Sequence, residues 1–575
     1  MKNQFLIYIG LILYLTFASC EKGFDEFLDK SPGVDVTEDI VFSSKSQIET
    51  FVAGTYADGI HTGYPMGSTP TGYTHQNITE AATDAGEMGD TWYPSQSWNS
   101  GSVIANNILN QEDVRFYKRW QVIRRTNILL ERMETVTSVE PDYINQVKGE
   151  AKFVRALNYF EMFKRYGGVP IVDKRFQLTD EMKIQRANVE DVINFIVKDC
   201  DDAIASLPST YPPTSRGRAN KGAALILKSK ALLFAASPMF NTATPYMDFG
   251  ANNKLICYGN YDLARWQKAA DAAKAVIDWA SGANCTLVTN QGVDKNYKYV
   301  WEKHDNSEVI LAYKGTSTVS MWTWPWVAIM SRNIYYGWGG LTVPLNFVKF
   351  YEKKDGTPQV WNPAGGNDLN LKYSELDSRF AQTMAYNGSR WNNDYPKMQM
   401  HQGGPDAPNC YGGVWLHKLV PDGLNYSNQN VVPHWINFRL AEAYLNYAEA
   451  LNEAQGSVQE AYDAVNVIRA RSGMPDLPAG LSKDDFRIRV RNERNVELAY
   501  EDHRFWDIRR WLIAEEEGVM KGNMWGIKIN KIVNSTEHRY EPFVFEVRTF
   551  QSRMYLHPFI QNEVYKGYLV QNPGW

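Results

Sequence analysis

Two clusters of aromatic residues have the types and the spacing of a ligand-binding surface. The first contains Trp92, Tyr93, Trp98 and Asn99 in a stretch rich in Gly, Pro and Ser. The candidate binding residues of the second cluster are Trp322, Trp324, Trp326, Tyr335, Tyr336 and Trp338. Because Gly, Pro and Ser seldom support a regular buried element, we expect the rings of the first cluster to lie on a loop.

Exposed indole and phenol rings suit a carbohydrate ligand. The apolar C–H face of a pyranose stacks on such a ring, and neighbouring amides and carboxylates bind its hydroxyl groups. Trp322, Trp324 and Trp326 alternate along the chain, so an extended segment would place all three on one face. This recognition needs no proton transfer. The alternative is that some rings pack beneath the loops, but for both clusters together we expect an exposed binding role.

The sequence lacks several common catalytic and metal-binding motifs. It has no His-Glu-x-x-His, no Gly-x-Ser-x-Gly and no Cys-x-x-Cys. Gly217 and Gly222 have the spacing of a phosphate-binding loop, but Ala223 and Ala224 stand where Lys and Ser or Thr would be needed, so a turn before a helix is expected. The nine histidines are dispersed. We predict no metal site and no cofactor, and no loop with spaced Asp, Asn and Gly indicates calcium.

A glycoside hydrolase stays open as an alternative because two carboxylates would share a helix face. Glu442 and Glu449 are seven residues apart, which is about 10.5 Å along a helix and longer than the roughly 5–9.5 Å between the carboxylates of glycosidases. The dense charges from Glu493 to Arg510 are typical of a solvated face or of salt bridges between helices.

The overall charge is mildly acidic, with 60 Lys and Arg against 65 Asp and Glu and a net charge of −5. Phosphate neutralisation needs clustered basic residues, so nucleic acid is not an expected partner. The hydrophobic fraction of 44% is that of a folded globular protein.

The N-terminus resembles a bacterial lipoprotein signal. An apolar run from Phe5 to Phe17 is followed by Ala18, Ser19 and Cys20. We expect acylation of Cys20 after removal of residues 1–19, and the alternative is a plain secretory signal with an incidental cysteine. The remaining cysteines, which we expect in the core because they are too scattered for a metal site and too few for a disulfide scaffold, are Cys200, Cys257, Cys285 and Cys410.

Apolar residues at helical spacing predict a mainly α fold. Helices are expected at 116–134, 143–166, 189–206, 222–236, 262–281, 437–453, 458–472 and 483–500. Small residues between Ala448 and Ala470, around a turn at Gly456, predict a tetratricopeptide-like pair of helices. The scaffold should therefore consist of helical hairpins that carry a large loop-rich insertion with a few short strands.

These patterns divide the chain into five regions. They are a signal peptide at 1–19, a lipidated tether at 20–39, a helical scaffold with an early ligand-binding loop at 40–284, a loop-rich variable ligand-binding region at 285–432 and a C-terminal helical scaffold at 433–575.

Several sequence blocks, in this order, resemble the SusD/RagB family over essentially the full mature length. The blocks are Cys20, residues 149–160 with 165–170, 439–450, 466–475, 491–500 with 503–511, and the C-terminal 571–575. They are scaffold motifs, so they carry the fold and not the ligand.

The resemblance implies a helical fold with four tetratricopeptide-like hairpins. It also implies a non-catalytic lipoprotein exposed at the surface of the outer membrane, which captures an oligosaccharide or polysaccharide for a SusC-like TonB-dependent transporter. In relatives the early loop and the central insertion hold the ligand. Some relatives capture peptides instead, and that alternative stays open.

Overall fold

The computed structural model describes residues 37–60, 66–68, 74–76, 78–89, 93–215, 217–303, 305–314, 340–392, 395–420 and 434–575. The predicted signal peptide and Cys20 lie outside the described residues. So do Trp92 and the second aromatic cluster at 322–338.

Helices make up most of the regular structure in the described ranges. In chain order they are α1 (Glu38–Val41), α2 (Lys45–Gly59), α3 (Ile78–Ala81), α4 (Ser95–Asn99), α5 (Ile108–Gln111), α6 (Phe116–Arg132), α7 (Pro141–Tyr166), α8 (Val189–Ser206), α9 (Lys221–Ala236), α10 (Ala264–Gly282), α11 (Asn296–Glu302), α12 (Leu345–Val348), α13 (Leu369–Glu375), α14 (Ser378–Thr383), α15 (Leu440–Gln455), α16 (Gln459–Arg471), α17 (Lys483–Glu497), α18 (Arg504–Arg510) and α19 (Gln561–Val564).

The strands are short except in one C-terminal hairpin. They are β1 (Met66–Ser68), β2 (Thr74–Gln76), β3 (Glu87–Met88), β4 (Val309–Lys314), β5 (Leu341–Thr342), β6 (Met384–Tyr386), β7 (Val414–Leu416), β8 (His434–Arg439), β9 (Gly522–Lys531) and β10 (His538–Arg548). Four strands form an antiparallel sheet in the order β3-β5-β7-β6, and the others pair as β1–β2, β4–β8 and β9–β10.

The long helices form a continuous scaffold. Each helix packs against the next in the series α6, α7, α8, α9 and α10, and α10 then packs against α15. About 160 residues separate α10 from α15 in sequence, so the loop-rich region is inserted between two neighbouring helices of the scaffold. This confirms the predicted mainly helical fold with a large insertion.

The predicted tetratricopeptide-like pair is confirmed in α15 and α16. Gly456 has a φ of 89° and makes the turn between them, a backbone conformation that glycine adopts without strain. Ala448, Ala461 and Ala464 are buried where the helices pack. Small side chains at these positions allow the two backbones to approach closely.

Each of the other predicted helices is present, with small shifts at the ends. The N-terminus of α9 follows the expected turn, because the Asn220 side chain accepts a hydrogen bond from the Ala223 amide at 2.9 Å. The prediction that Asn437 begins a helix is wrong. It lies in β8, whose residues pair with β4 in antiparallel register.

The C-terminal region is less helical than predicted. After α18 the chain forms the hairpin β9–β10, in which Met524, Ile527 and Ile529 are buried. The predicted C-terminal helical scaffold at 433–575 thus also carries a strand hairpin, which the sequence patterns did not indicate.

The two largest of the four hydrophobic clusters in the described ranges organise the fold. The first lies among the scaffold helices and includes residues of α6 to α9, α15 and the C-terminal segment 550–569. The second core lies beneath the four-stranded sheet and includes Met88, Leu341, Trp415, Trp435 and Ile527. Trp301, Trp506 and Trp511 are buried, as predicted.

A network of buried ion pairs joins the scaffold to the insertion. Glu497 on α17 is fully buried and accepts hydrogen bonds from Arg439 (2.6 Å), Arg379 (3.0 Å) and Arg471. Burial alone would raise the pKa of Glu497, but the three guanidinium groups hold it far below its usual range. The charge run that contains Glu497 was expected to be solvated or to link helices, and the structure confirms the second alternative.

Other charges of the insertion extend this network. Glu308, just before β4, accepts from Arg439 at 2.7 Å and from Arg471 at 3.0 Å. Lys418, just after β7, donates to Glu501 and to the Tyr297 hydroxyl. Burial lowers the pKa of Lys418 to about 8, although Glu501 opposes that shift.

We expect Glu497→Gln to lower the free energy of unfolding by about 3–5 kcal/mol, because it leaves three buried guanidinium groups without their shared charge. Urea unfolding measures this. Glu541→Gln is the matched control: Glu541 pairs with Arg539 at an exposed site, where a pair contributes about 0–1 kcal/mol. Equal effects of the two substitutions would contradict the assigned role.

The same residue predicts a pH dependence. Because the folded-state pKa of Glu497 is below its unfolded value, its contribution is complete above a pH of about 4.3 and is lost as the pH falls toward the folded pKa. The stability of Glu497→Gln should therefore decrease less steeply than that of the unsubstituted protein in this acidic range.

Candidate ligand-binding surface

Trp98 is a core residue, which corrects the prediction of an exposed ring. Its side chain is 1% exposed, and its indole nitrogen donates to the Gln111 carbonyl at 3.0 Å. The ring packs edge-on against Phe505 at 5.4 Å and lies 5.1 Å from the ring of His557. Residues 95–99 form the short helix α4 after Pro94, and this turn of helix directs the indole into the first core.

Asn99 is also buried, and it fixes the start of the four-stranded sheet. Its amide donates to Glu87 at 2.9 Å and to the Ala81 carbonyl at 3.2 Å. Glu87 in β3 accepts further hydrogen bonds from Gln96 at 2.6 Å and from Arg548. Burial raises the pKa of Glu87 to about 8 although Arg548 opposes it. Asn99 therefore acts as a structural residue.

Tyr93 lies in the second core together with Met88 and Leu341. Three members of the first predicted cluster are thus buried, and Trp92 lies outside the described residues. Gly, Pro and Ser around these rings indicated a loop, but residues 95–99 form helix α4 and the segment packs onto the core.

The described residues that flank the two aromatic clusters are hydrogen-bonded to each other. Strand β3 ends at Met88 and pairs with β5, where Met88 lies opposite Leu341. The Gly89 amide donates to the Gly340 carbonyl at 3.2 Å. Residues 90–92 follow Gly89 in sequence, and residues 315–339 precede Gly340. Sequence analysis found both aromatic segments but gave no sign of this pairing.

The other end of the second segment is fixed in a similar way. Lys314 ends β4 and lies opposite His434, the first residue of β8. Residues 315–339 follow Lys314, and residues 421–433 precede His434. Trp435 packs on Trp301 with ring centroids 5.2 Å apart in the second core. We call Gly89–Gly340 and Lys314–His434 the segment anchors, and both lie at the border of the second core.

A half-open cavity of about 390 Å³ adjoins the second anchor. Its lining includes Trp279, Asn284, Asn306, Asp305 and Lys314. Lys314 and Asp305 form an ion pair at 2.6 Å, and the Trp279 indole donates to Ser209 at 3.0 Å. An aromatic ring beside amides and charged groups can bind a polar ring-shaped ligand. Sequence analysis did not select Trp279, since its helical surroundings resemble those of a core tryptophan.

The carboxylates considered for hydrolysis are committed to ion pairs. Glu449 accepts from Arg510 at 2.7 Å and from the Trp511 indole at 2.7 Å, and Arg510 keeps the pKa of Glu449 below its usual value despite burial. Glu442 is buried 3.1 Å from Lys230. Neither carboxylate lines the cavity beside the second anchor.

The cysteines that the structure describes lie in the interior of the fold. Cys200, Cys257, Cys285 and Cys410 are unpaired and buried, as predicted for core residues. Within the described ranges, no group of three or more His, Cys, Asp and Glu side chains is arranged to hold a metal ion. The helices that the structure describes include none with the length and apolar character of a membrane span.

Two family models match the chain on either side of the region around α10. A model described as the SusD family matches residues 307–575. A second model, described as starch-binding and associating with the outer membrane, matches residues 26–233.

Individual relatives match over nearly the whole chain. A SusD-like protein of Formosa agariphila is 22% identical over 549 residues, which cover 89% of this chain and 90% of that protein. The crystal structure of a SusD-like protein from Bacteroides fragilis is 26% identical, with a TM-score of 0.77 over 95% of this chain and 100% of that one. A SusD-like carbohydrate-binding protein from the same species is 20% identical, with a TM-score of 0.68 over 92% and 99%.

We expect Trp98→Ala to lower the free energy of unfolding by about 3–5 kcal/mol, because it leaves a cavity between α4 and α18. Thermal unfolding measures the effect as a change in melting temperature. Tyr261→Ala, a substitution at an exposed ring, is the control. A melting temperature as high as that of the control would mean that Trp98 does not belong to the core.

Proposed function

This chain belongs to the SusD/RagB family, and from that premise we propose that it is a non-catalytic glycan-binding lipoprotein of the cell surface. It captures oligosaccharides or polysaccharides and delivers them to a SusC-like TonB-dependent transporter in the outer membrane. The observation that carries the proposal is the hydrogen bond between Gly89 and Gly340, because it joins described residues that flank the two predicted aromatic segments.

Glycan binding is supported by chemistry and by relatives. Trp92 is three residues from Gly89, and Trp338 is two residues from Gly340. At no more than about 3.6 Å per residue, both residues stay within roughly 11 Å of this anchor. Indole rings that lie close to one anchor can stack on sugar units of the same glycan. One similar solved protein is described as carbohydrate-binding, and one matching family model as starch-binding.

We assign the binding role to the members of the predicted clusters that lie outside the described residues. These are Trp92, Trp322, Trp324, Trp326, Tyr335, Tyr336 and Trp338. Tyr93, Trp98 and Asn99 support them by fixing β3 and the chain that leads to it.

The ion pairs of the two carboxylates considered for hydrolysis support a non-catalytic role. Glycosidic hydrolysis needs a carboxylic acid and a second carboxylate that both reach the sugar. Glu442 and Glu449 are instead held by Lys230 and by Arg510 in the helical scaffold. Binding alone is sufficient for capture.

The membrane association is supported by the leader sequence and by the family description. Cys20 follows an apolar run and two small residues, and the N-terminal family model is described as associating with the outer membrane. A single acyl chain binds a membrane only weakly, so stable anchoring takes more than one acyl group. We propose that Cys20 carries these groups and that the mature chain begins there.

Trp338→Ala should weaken binding of a recognised glycan about five- to tenfold, since one lost stacking contact is worth roughly 1 kcal/mol. Titration calorimetry with soluble starch, xylan and β-glucan oligosaccharides identifies the ligand and then measures the change. Because Trp92 and Trp338 are proposed to touch one ligand, the double substitution should show non-additive losses.

Tyr261→Ala is the matched control, as Tyr261 is an exposed ring on the scaffold between α9 and α10. Unchanged affinity in both tryptophan variants would refute the assigned surface. Binding of peptides and of no glycan would favour the peptide-capturing alternative, and new reducing ends produced from a bound glycan would refute the non-catalytic role.

Cys20→Ser should abolish incorporation of labelled palmitate and move the protein from the membrane fraction to the soluble fraction. Cys200→Ser serves as the control because that thiol is buried in the first core. Labelling that persists in Cys20→Ser would contradict the proposed anchor.

A further inference from the structure

A second half-open cavity, of about 380 Å³, lies along the first half of α6. We call it the α6 groove. Its walls are α6, the extended segment 170–184 and the C-terminal segment 563–569. The rings that line it are Phe116, Tyr117, Trp120, Phe176 and Tyr568.

The α6 groove exposes apolar surface that nothing among the described residues covers. Tyr117 is 45% exposed and Met182 is 55% exposed. Ile184 and Leu569 add aliphatic surface to the lining. A cavity of this size lined mostly by aromatic and aliphatic groups is typical of a site that receives apolar side chains.

The charged groups that line the groove are three cations, Arg124, Lys174 and Lys566, and one carboxylate, Glu563. Lys174 also forms an ion pair with Asp180 at 3.2 Å. Glu563 accepts from Lys566 at 2.8 Å, from Tyr568 at 2.9 Å and from Tyr117 at 3.1 Å. These donors outweigh the effect of burial and keep the pKa of Glu563 below its usual value. Arg124 donates to the Phe176 carbonyl at 3.4 Å, and within the described ranges no carboxylate forms an ion pair with it.

The first described residues of the chain are attached to α6 and to segment 170–184, which forms one wall of the groove. Glu38 accepts a hydrogen bond from Arg175 at 2.8 Å, and Asp39 accepts one from Arg132 at 2.6 Å. Arg175 lies between Lys174 and Phe176, which both line the groove. The chain that precedes Thr37 therefore leaves from the C-terminal end of α6, next to the groove wall.

The sequence of this preceding chain complements the groove. Phe24, Phe27 and Leu28 are large apolar residues within a polar tether, and residues 25, 26 and 29 are Asp, Glu and Asp. The apolar side chains match the lining, and the acidic ones match its three cations. The family model described as associating with the outer membrane begins its match at residue 26, within this tether.

The tether is long enough to reach the groove from Thr37. Arg132 and Trp120 are twelve residues apart on α6, or about 18 Å at 1.5 Å per residue. Leu28 is nine residues before Thr37, and an extended chain of that length reaches about 30 Å. The tether can therefore run back along α6 and place residues 24–28 over the groove.

We propose that residues 24–29 of the mature chain occupy the α6 groove, with Phe24, Phe27 and Leu28 inserted among its rings and the acidic residues facing Arg124, Lys174 and Lys566. The occupant is a segment of the same chain, so binding is intramolecular and its effective concentration is high. With an acylated Cys20, docking leaves only four residues between the lipid and the body of the protein.

Hydroxyl-radical footprinting of the mature chain with Cys20→Ser tests this proposal, because the groove carries the oxidisable residues Met182 and Tyr117 on its rim. We expect several-fold faster oxidation of both in Phe24→Ala/Phe27→Ala/Leu28→Ala than in the parent chain. Val34→Ala/Val36→Ala, in the same tether, is the matched control and should resemble the parent chain. Tyr261, exposed far along the chain from the tether, reports general reactivity and should not change.

Equal oxidation of Met182 in the parent chain and in the triple variant would overturn the proposal. Protection that appears only after a glycan is added, or only at high protein concentration, would instead identify a saccharide or a second copy as the occupant, and each result would also overturn it. Higher ionic strength should increase the oxidation of Met182 in the parent chain, as expected where the acidic and cationic groups meet.

Discussion

The fold depends on one buried cluster of charges centred on Glu497. Three arginines converge on this carboxylate from different parts of the chain: Arg379 from α14 in the insertion, Arg439 from the end of β8 and Arg471 from α16. Such a cluster is stable only when every member is paired, because an unpaired charge is strongly disfavoured in a buried site. The insertion and the C-terminal helices therefore have to adopt their native arrangement together.

This constraint explains how a large insertion can lie between two packed helices without separating into an independent domain. The insertion has its own hydrophobic core beneath the four-stranded sheet, but the core also takes up Tyr500 and the hairpin β9–β10 from the C-terminal region. Tyr500 has a φ of 61° and donates from its hydroxyl to the Ala85 carbonyl at 2.8 Å. Residues 81–93, the insertion and the C-terminal region thus share one core. The segment anchors are fixed in position by their attachment to this core.

The sequence predicted the scaffold well because helical periodicity is a local signal. The ends of α8 and of the helices around Gly456 follow directly from the apolar spacing and from the turn residue. Burial of Trp98 depends on tertiary contacts. Its indole nitrogen donates to the Gln111 carbonyl, and its ring packs against Phe505, which lies about 400 residues away in sequence. Loop-forming residues therefore identify where a ring leaves regular structure, but not whether it turns toward solvent or core. The pairing of Gly89 with Gly340 is equally non-local.

The attachment of the chain to the two cores has a mechanical consequence for capture. The N-terminal tether joins the fold at α1, where Glu38 binds Arg175 and Phe42 packs among residues of α2, α6 and α7, whereas both segment anchors lie beside the second core. A glycan bound near Gly89 and Gly340 and a lipid attached at Cys20 would therefore act on different halves of the molecule. Because buried ion pairs and a shared core hold these halves together, a lipid anchor at Cys20, as proposed, would leave the orientation of the proposed ligand surface to the tether that ends at Thr37. A tether docked in the α6 groove would leave little of its length free, so the protein would present its ligand surface in a restricted range of orientations.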